Sequence, residues 1–312
     1  MSKRVFFLIA GLFFYAAIAH AQFSESWVSK PSSREVLTSQ PLIVLLKDQD
    51  PAQLKKLAKS SKELAEYKAA IADYNILIQE HAAKQWHFSS AVEFRHESEL
   101  PAFLADKTLR SILQHRYFKL VERSTGSVNN RLSGGFTTAE QASAMELNVV
   151  GEGQSRYVWQ LLLEPGRVLP SDIFMGMKML NAYLLGNAGV EPRESMRQSQ
   201  EKAKRLSSKT LLIDKATVSE RLTPEEIKRV YPYAYQFVPR AAIDDAVLNS
   251  DTRYACVRLL PASVGEMMHV VFDPADGEIL GYSVHSGMRL SKVNLVAKDN
   301  FKDFAKAAAG KQ

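Results

Sequence analysis

Three tyrosines have the most distinctive spacing among the residues that could bind a ligand: Tyr231, Tyr233 and Tyr235 alternate around Pro232, just before a predicted strand. Alternating aromatic rings on extended backbone can form a face on which a saccharide or another ring stacks. The alternative is structural. The proline stiffens the connection, and the tyrosines cover the sheet edge with their hydroxyl groups in water. We favour the structural interpretation and keep the three tyrosines as candidates for a ligand surface.

Two histidines, His269 and His285, complete the candidate ligand surface. If the last two predicted strands form a hairpin, His269 lies opposite Tyr282 and His285 lies opposite Glu266, and cross-strand polar pairs of this kind mostly belong to a surface. No two histidines in the chain have the spacing of a metal site. No metal ligand is therefore predicted.

Motifs for covalent and nucleotide chemistry are missing from the sequence. There is no Gly-x-Ser-x-Gly elbow for a serine nucleophile, and Gly151-Glu-Gly153 lacks the third glycine of a dinucleotide loop. Asp273-Pro-Ala-Asp-Gly277 has the composition of a tight turn and lacks the distant glutamate of a calcium loop. We predict no catalytic residue and no cofactor. A hydrolase whose site is assembled from residues distant in the sequence is the alternative.

The single cysteine, Cys256, limits the redox chemistry of the chain. One cysteine cannot form an intrachain disulfide, a Cys-x-x-Cys centre or a cysteine zinc site. Its surroundings, Tyr254-Ala-Cys-Val-Arg-Leu-Leu260, alternate as in a strand, and a lone cysteine in a strand is usually a small buried apolar residue. We predict that Cys256 is structural.

Positions 1–21 have the three parts of a cleavable signal peptide. Lys3 and Arg4 precede an uncharged apolar run of 14 residues, 5–18, which ends at Ala19-His20-Ala21, a small-x-small cleavage pattern. The run is shorter than the roughly 20 residues that a membrane-spanning helix needs. We expect cleavage near Ala21 and a mature protein that is exported to the periplasm or the extracellular space, soluble and not membrane-embedded.

The composition of the 312-residue chain is that of a globular protein, with 46% hydrophobic and 24% charged residues. Its formal charge of +6 falls to +4 when Lys3 and Arg4 leave with the signal peptide. No block of five or six basic residues is present, so nucleic acid is not an expected partner.

Two parts of the chain share one predicted order of elements: strand, helix, strand, helix, three strands, helix. We predict an α/β protein (α+β with mixed sheets) of two similar small domains, 40–190 and 210–312. A flexible lead-in, 22–39, precedes them, and a charged helical linker, 191–209, joins them. The strand-helix-strand pairs imply parallel neighbours, and the hairpins add antiparallel strands. The order is similar to that of the thioredoxin fold without its cysteines, so this likeness carries no chemistry. An internal duplication is our hypothesis.

A long helical stretch in the first domain carries an apolar seam. Asp50-Pro51 marks its beginning, and it continues to about Gln85. The seam residues recur at helical spacing and are Leu57, Leu64, Tyr67, Ile71, Tyr74 and Ile78. We expect the seam to pack within its own chain, whereas a homodimer formed through this helix is the alternative.

Two resemblances concern the second domain. Four segments resemble uncharacterised exported bacterial proteins of similar length: Lys209-Thr-Leu-Leu-Ile213, Leu222-Thr-Pro-Glu-Glu-Ile-Lys228, Tyr231-Pro-Tyr233 and Asp273-Pro-Ala-Asp-Gly-Glu-Ile-Leu280. The likeness covers most of the mature chain and implies export without naming an activity. The final hairpin also resembles the PepSY-type module of periplasmic proteins, in which an Asp-x-x-x-Gly-x-Ile-Leu hairpin ends a small α/β unit.

These observations favour a non-catalytic binding or accessory protein of the cell envelope, with an unidentified protein or envelope component as its partner. A hydrolase and a structural protein that dimerises through the long helix are the two alternatives.

Overall fold

The computed structural model describes residues 31–89, 91–123, 137–163, 168–187, 192–263, 266–285 and 295–311. The predicted signal peptide lies outside these ranges.

Nine helices and ten strands are numbered here in chain order within the described residues. The helices are α1 (Pro31–Ser39), α2 (Pro51–Leu57), α3 (Ser61–Gln85), α4 (Leu100–Ala105), α5 (Pro170–Asn187), α6 (Pro192–Ala203), α7 (Pro224–Val230), α8 (Arg240–Leu248) and α9 (Lys298–Ala308). The strands are β1 (Leu42–Leu46), β2 (Val92–His96), β3 (Arg110–Arg123), β4 (Thr137–Gly151), β5 (Gln154–Leu163), β6 (Thr210–Asp214), β7 (Tyr235–Val238), β8 (Tyr254–Ser263), β9 (Glu266–Phe272) and β10 (Ile279–His285).

The strands form two five-stranded sheets with the same internal order. The first sheet has the order β2-β1-β3-β4-β5, and the second has the order β7-β6-β8-β9-β10 when read in the same direction. In each sheet the first strand in sequence is parallel to both of its neighbours. In the second sheet, β9 is antiparallel to β8 and to β10. The predicted fold class, a mixed α/β protein with two similar parts, is confirmed.

Helix capping explains one local difference from the sequence prediction. The helical stretch after Asp50 is interrupted between α2 and α3, because the Ser60 hydroxyl accepts a hydrogen bond from the Glu63 N–H at 3.3 Å and starts a new helix. Asp50 caps α2 through the Ala52 N–H at 2.8 Å, as expected.

The described residues form two compact units. Unit 1 contains those up to 115, 145–161 and 184–187, and unit 2 contains those of 116–144, 162–183 and from 192 onward. Residues 162–183, which the sequence analysis grouped with the first domain, thus belong to unit 2. The predicted lead-in, 22–39, includes α1.

The core of unit 1 is built on β1, which is buried along its whole length. Ile43 and Leu45 belong to a cluster with Ile112 and Val150, and three residues of α4 pack against it: Leu100, Phe103 and Leu104. In the predicted seam, Tyr74 and Ile78 of α3 are buried, while the other members are half-buried: Leu64, Tyr67 and Ile71 in α3, and Leu57 at the end of α2. The carboxyl-terminal part of α3 therefore packs within its own chain.

The core of unit 2 joins the second sheet to helices α7 and α9. Its fully buried members include Leu211, Ile213, Ile227, Phe301 and Phe304. Thr223 and Glu226 form a capping box that fixes the start of α7. Within the described part of the chain, no helix combines the length and the apolar character needed to span a bilayer.

Candidate functional site

Three chemistry-bearing side chains of unit 1 lie toward the carboxyl ends of neighbouring parallel strands. Lys47 directly follows β1, His96 is the last residue of β2, and His115 lies in β3 two residues beyond Leu113, the register partner of Val44. Ligands of open α/β sheets bind preferentially outside the carboxyl ends of parallel strands. We call this group, with Asp48 and Tyr74, the strand-end site.

The main chain of Lys47 is held in place by the Asn75 side chain. The Asn75 side chain of α3 accepts a hydrogen bond from the Lys47 N–H at 2.8 Å and donates one to the Lys47 carbonyl oxygen at 3.0 Å. The Lys47 Nζ lies 5.2 Å from the centroid of the Tyr74 ring. Burial lowers the pKa of Lys47 to about 8, although the Glu97 carboxylate acts in the opposite direction. At neutral pH a small part of Lys47 is therefore the free amine.

His115 lies behind Tyr74 and is buried. Its ring centroid is 5.3 Å from that of Tyr74, and the two planes are inclined by 36°. Burial, assisted by the positive charge of Lys47, lowers the pKa of His115 to about 3. The imidazole is therefore neutral at physiological pH, and the apolar side of the site carries no second positive charge.

Asp48, which follows Lys47 in the chain, forms an exposed pair with His96. Asp48 Oδ1 is 2.7 Å from His96 Nδ1, and Asp48 Oδ2 accepts a hydrogen bond from the Ser98 N–H at 2.9 Å. Partial burial opposes the ionised form, but the hydrogen bonds from Ser98 and His96 prevail and lower the pKa of Asp48. The carboxylate orients the imidazole so that Nε2 is the ring nitrogen left for a ligand or a water molecule.

The strand-end site combines a partly deprotonated amine, a neutral buried imidazole and an oriented surface imidazole. These groups can bind an oxygen-bearing ligand, and the amine can also act as a nucleophile. In the described ranges, no three His, Cys, Asp or Glu side chains are grouped so that they could hold a metal ion.

The candidate tyrosines lie in unit 2 and form an aromatic cluster. Tyr231 is 1% exposed, and its ring is 5.3 Å from Tyr233 and 5.8 Å from Phe301. Tyr235 contacts Phe301 at 5.8 Å and Phe237 at 5.4 Å. Tyr231 is thus a core residue, while Tyr233 and Tyr235 are half-buried against the same core.

The candidate histidines are placed differently from the predicted hairpin register. His269 pairs with Ser283, and His285 pairs with Met267, because the register shifts by one residue between Ile279 and Gly281. The predicted cross-strand partners were therefore wrong. His269 is 1% exposed, and its Nδ1 lies 3.0 Å from Asn300 Nδ2, so it is not on the surface. The side chain of His285 lies outside the described residues.

The Asp273–Glu278 turn of unit 2 is bonded to Lys209 and to Lys178 of α5. The Asp273 carboxylate is 3.0 Å from Lys209 Nζ and accepts a hydrogen bond from the Ala275 N–H at 3.0 Å. Lys178 of α5 donates to the Ser250 hydroxyl at 2.6 Å and to the carbonyl oxygens of Pro274 at 2.8 Å and Ala275 at 2.6 Å. Gly277 lies directly on the α5 backbone.

The predicted ligand candidates and the strand-end site have no residue in common. The spacing of the histidines in the sequence could reveal only a metal site formed within one element. Lys47, His96 and His115 are brought together by the pairing of β1 with β2 and β3. The available signal was the position of Lys47 and His96 at the ends of predicted strands. Comparisons with protein-family models, with curated proteins and with solved structures gave no match.

Proposed function

We propose that this protein acts outside the cytoplasm as a non-catalytic binding protein of the cell envelope, and that it holds an oxyanion of its ligand at Lys47. Export is supported by the signal-peptide pattern of residues 1–21. The single observation that carries the choice of site is the half-buried Lys47 ammonium at the carboxyl ends of the parallel strands, where its pKa is lowered to about 8.

The electrostatics of Lys47 favour a negatively charged ligand group. A pKa below the ordinary lysine value means that the surroundings stabilise the ammonium less than water does. A carboxylate or phosphate oxygen at Nζ would supply the missing stabilisation and would raise the pKa of Lys47. Binding should therefore be accompanied by proton uptake near pH 8.

The binding test uses acetate, oxalate and inorganic phosphate as probes in titrations of the full mature chain. At least one of them should bind more tightly at pH 7 than at pH 9, because Lys47 loses its charge as the pH rises through about 8. Lys47→Met should abolish the binding. Lys68→Met, at an exposed position of α3, is the matched control and should leave it unchanged. Equal binding by wild type and Lys47→Met would refute the site.

The test of export is separate from that of the site. We expect cell fractionation to recover the protein outside the cytoplasm and N-terminal sequencing to begin near Gln22. Recovery in the cytoplasm with residues 1–21 still attached would contradict the proposed location without bearing on the binding site.

A second candidate function, hydrolysis, is favoured by the Asp48–His96 pair. A carboxylate that orients an imidazole is the arrangement by which a histidine activates a water molecule or a hydroxyl group. Activity of the mature chain on a chromogenic acetyl ester that is lost in His96→Ala and retained in His87→Ala would support an enzyme. Equal rates in all three proteins would exclude this role for His96.

A further inference from the structure

We propose that the connection between α2 and α3 in unit 1 binds the surface of a membrane that contains anionic phospholipids. The binding surface, which we call the lysine corner, consists of four exposed residues within the stretch 55–62: Lys55, Lys56, Lys59 and Lys62. The inference rests on the proposed function only in placing the protein outside the cytoplasm, beside the membranes of the envelope. It uses no residue of the strand-end site.

The lysine corner contains the whole positive surplus of the mature chain. Residues 55–62 include no aspartate or glutamate and therefore carry a formal charge of +4. The mature chain has the same formal charge, because +6 falls to +4 when Lys3 and Arg4 leave with the signal peptide. The other residues of the mature chain thus sum to zero, and the positive surplus is concentrated at one short connection.

The charges of the lysine corner are not neutralised by carboxylates of the described residues. Lys55, Lys56 and Lys59 have no ion-pair partner in the described ranges, and Lys62 Nζ lies 4.0 Å from Glu66 in a pair whose side chains are 86% and 66% exposed. A pair so exposed contributes little. The basic residues at 202–209 in unit 2 are instead paired: Lys202 with Glu278, Lys204 with Glu201, Arg205 with Asp276 and Lys209 with Asp273.

Helix electrostatics account for only part of the lysine corner. Lys55 and Lys56 lie in the last turn of α2, where the carbonyl end of a helix favours cations. Lys62 lies in the first turn of α3, where the N–H end of a helix disfavours a cation. The stability of the two helices therefore does not explain why four lysines meet here, whereas an anionic surface would stabilise all four.

The frame that carries the lysines is fixed. The Asp50 N–H of the α2 cap donates a hydrogen bond to the Tyr67 hydroxyl of α3 at 2.9 Å, and the Ser60 N–H donates to the Leu57 carbonyl oxygen at 2.9 Å. Leu54 and Leu57 are half-buried, unlike the lysines beside them. Binding would therefore have to order only the lysine side chains, and this keeps its entropic cost low.

An extended anionic surface fits this arrangement better than a small ligand does. A site for a small anion is concave and buries most of its ligand, whereas the four lysine side chains are all exposed. A bilayer with anionic headgroups presents many phosphates in one plane, and helical clusters of roughly four to eight basic residues bind such surfaces. Nucleic acid has a similar density of phosphates, but the expected export separates the protein from it.

The test measures binding of the full mature chain to lipid vesicles by co-sedimentation. Vesicles of phosphatidylcholine that contain phosphatidylglycerol should bind the protein in about 0.1 M salt, whereas pure phosphatidylcholine vesicles should not. Binding should be lost in about 1 M salt, because the screening length falls from about 10 Å to about 3 Å. Failure to bind the anionic vesicles at low salt would overturn the proposal.

Two variants with the same change of charge locate the binding surface. The corner variant carries Lys55→Gln, Lys56→Gln, Lys59→Gln and Lys62→Gln. At about fivefold for each lysine, it should bind anionic vesicles at least about fiftyfold more weakly than the wild type. The control variant changes four exposed lysines elsewhere, as Lys84→Gln, Lys107→Gln, Lys215→Gln and Lys311→Gln, and should stay within about threefold of the wild type. Equal weakening in both variants would refute the lysine corner.

Two further measurements separate this inference from the proposed function and from another partner. The corner variant should bind the oxyanion probes as the wild type does, so lost vesicle binding with intact oxyanion binding supports two separate surfaces. Loss of both in the corner variant would overturn the lysine corner as a surface of its own. Binding of polyglutamate or duplex DNA, but not of anionic vesicles, would reassign the lysine corner to a soluble polyanion. Because the lipid and salt dependence of the wild type is itself a test, the outcome does not depend on how the variants fold.

Discussion

At the scale of single residues, unit 1 combines a buried imidazole, His115, with a half-buried amine, Lys47, and both lie near the Tyr74 ring. Both groups lose stabilisation of their charged forms on burial, so the pKa of each is lowered. The stability of the protein therefore depends on pH, because these groups bind a proton more readily in the unfolded chain than in the folded one.

His115 should make the protein sensitive to acid. Its pKa is about 3 in the folded chain and near 6.5 when unfolded, so the unfolded chain binds more protons between these values. Stability should fall as the pH drops from about 6.5 toward 3, by about 1.4 kcal/mol for each pKa unit that separates the two states. Urea unfolding between pH 7 and 4 should show a smaller loss in His115→Gln. The exposed His87→Gln is the control. Equal slopes in both variants would refute the assignment.

Tyr231→Phe should not weaken the fold. The Tyr231 hydroxyl is buried and has no hydrogen-bond partner among the described residues. Removing a buried polar group without a partner leaves the free energy of unfolding unchanged or raises it by about 1 kcal/mol. Tyr231→Ala should instead lose about 3 to 5 kcal/mol through the cavity that it leaves. A loss of comparable size in Tyr231→Phe would show that the hydroxyl is bonded.

At the scale of elements, α5 is fixed to the rest of unit 2 by polar contacts. Arg258 of β8, 2% exposed, donates to the Ser171 hydroxyl at 3.0 Å and to the Asp244 carboxylate at 2.8 Å, and lies 3.6 Å from Asp172. Lys178 secures the same helix to the turn before β10. Removing one partner of such a buried ion pair is strongly destabilising, because it leaves the other charge buried without compensation.

Gly277→Ala should lower the free energy of unfolding by more than its positive φ alone would cost. Gly277 has φ +78°, and an added Cβ would lie 2.4 Å from the Lys178 carbonyl carbon and 2.6 Å from the Lys178 Cβ. Gly153, with φ +73° and no atom within 4 Å of such a Cβ, is the matched control. We expect Gly153→Ala to cost about 1 kcal/mol and Gly277→Ala at least about 2 kcal/mol more in urea unfolding. Equal losses in the two variants would mean that α5 moves aside for the added methyl group at no energetic cost.

Arg258→Met should lower the free energy of unfolding by about 3 kcal/mol, because buried Asp172 and half-buried Asp244 would both lose the Arg258 guanidinium as a partner. Arg253→Met removes an arginine whose side chain is 72% exposed, and it should change stability little. Thermal and urea unfolding of both variants provide the measurement. A mild effect of Arg258→Met would show that the methionine packs well enough to replace the ion pairs.

Local signals explain why the elements of unit 2 were predicted well. Thr223-Pro-Glu-Glu226 has the residue types of a capping box, and the strand predicted beside the three tyrosines is β7 in the structure. The register error at His269 arose from a one-residue shift in pairing, which depends on how two strands meet and has no short sequence signature. The strand-end site was missed for a similar reason, since its residues are brought together by strand order.

At the scale of the whole molecule, the common strand order supports the hypothesis of an internal duplication. The two sheets differ where β1 and β6 end. Lys47 follows β1 and takes part in the strand-end site, whereas Asp214 ends β6 and caps a short helix by accepting a hydrogen bond from the Ala216 N–H at 2.9 Å. In the second sheet this position serves local structure.

Stability should be independent of redox conditions. The one cysteine, Cys256, is buried in β8, and burial raises the pKa of its thiol. We expect the melting temperature to be the same with and without dithiothreitol, and a thiol reagent to react only after unfolding. Rapid labelling of the native protein would show that β8 opens readily.

The position of α5 in the chain determines where the protein could be divided. A second half that began at residue 191 would resemble a complete repeat in its order of elements, yet it would lack Ser171, Asp172 and Lys178, and the Arg258 guanidinium would lose two of its partners. Unit 2 also contains described residues of 116–144, so a fragment that starts just upstream of Pro170 would include the helix and still lack part of the unit. A single cut anywhere between β5 and β6 therefore divides unit 2, and the two halves of the chain do not correspond to independent pieces.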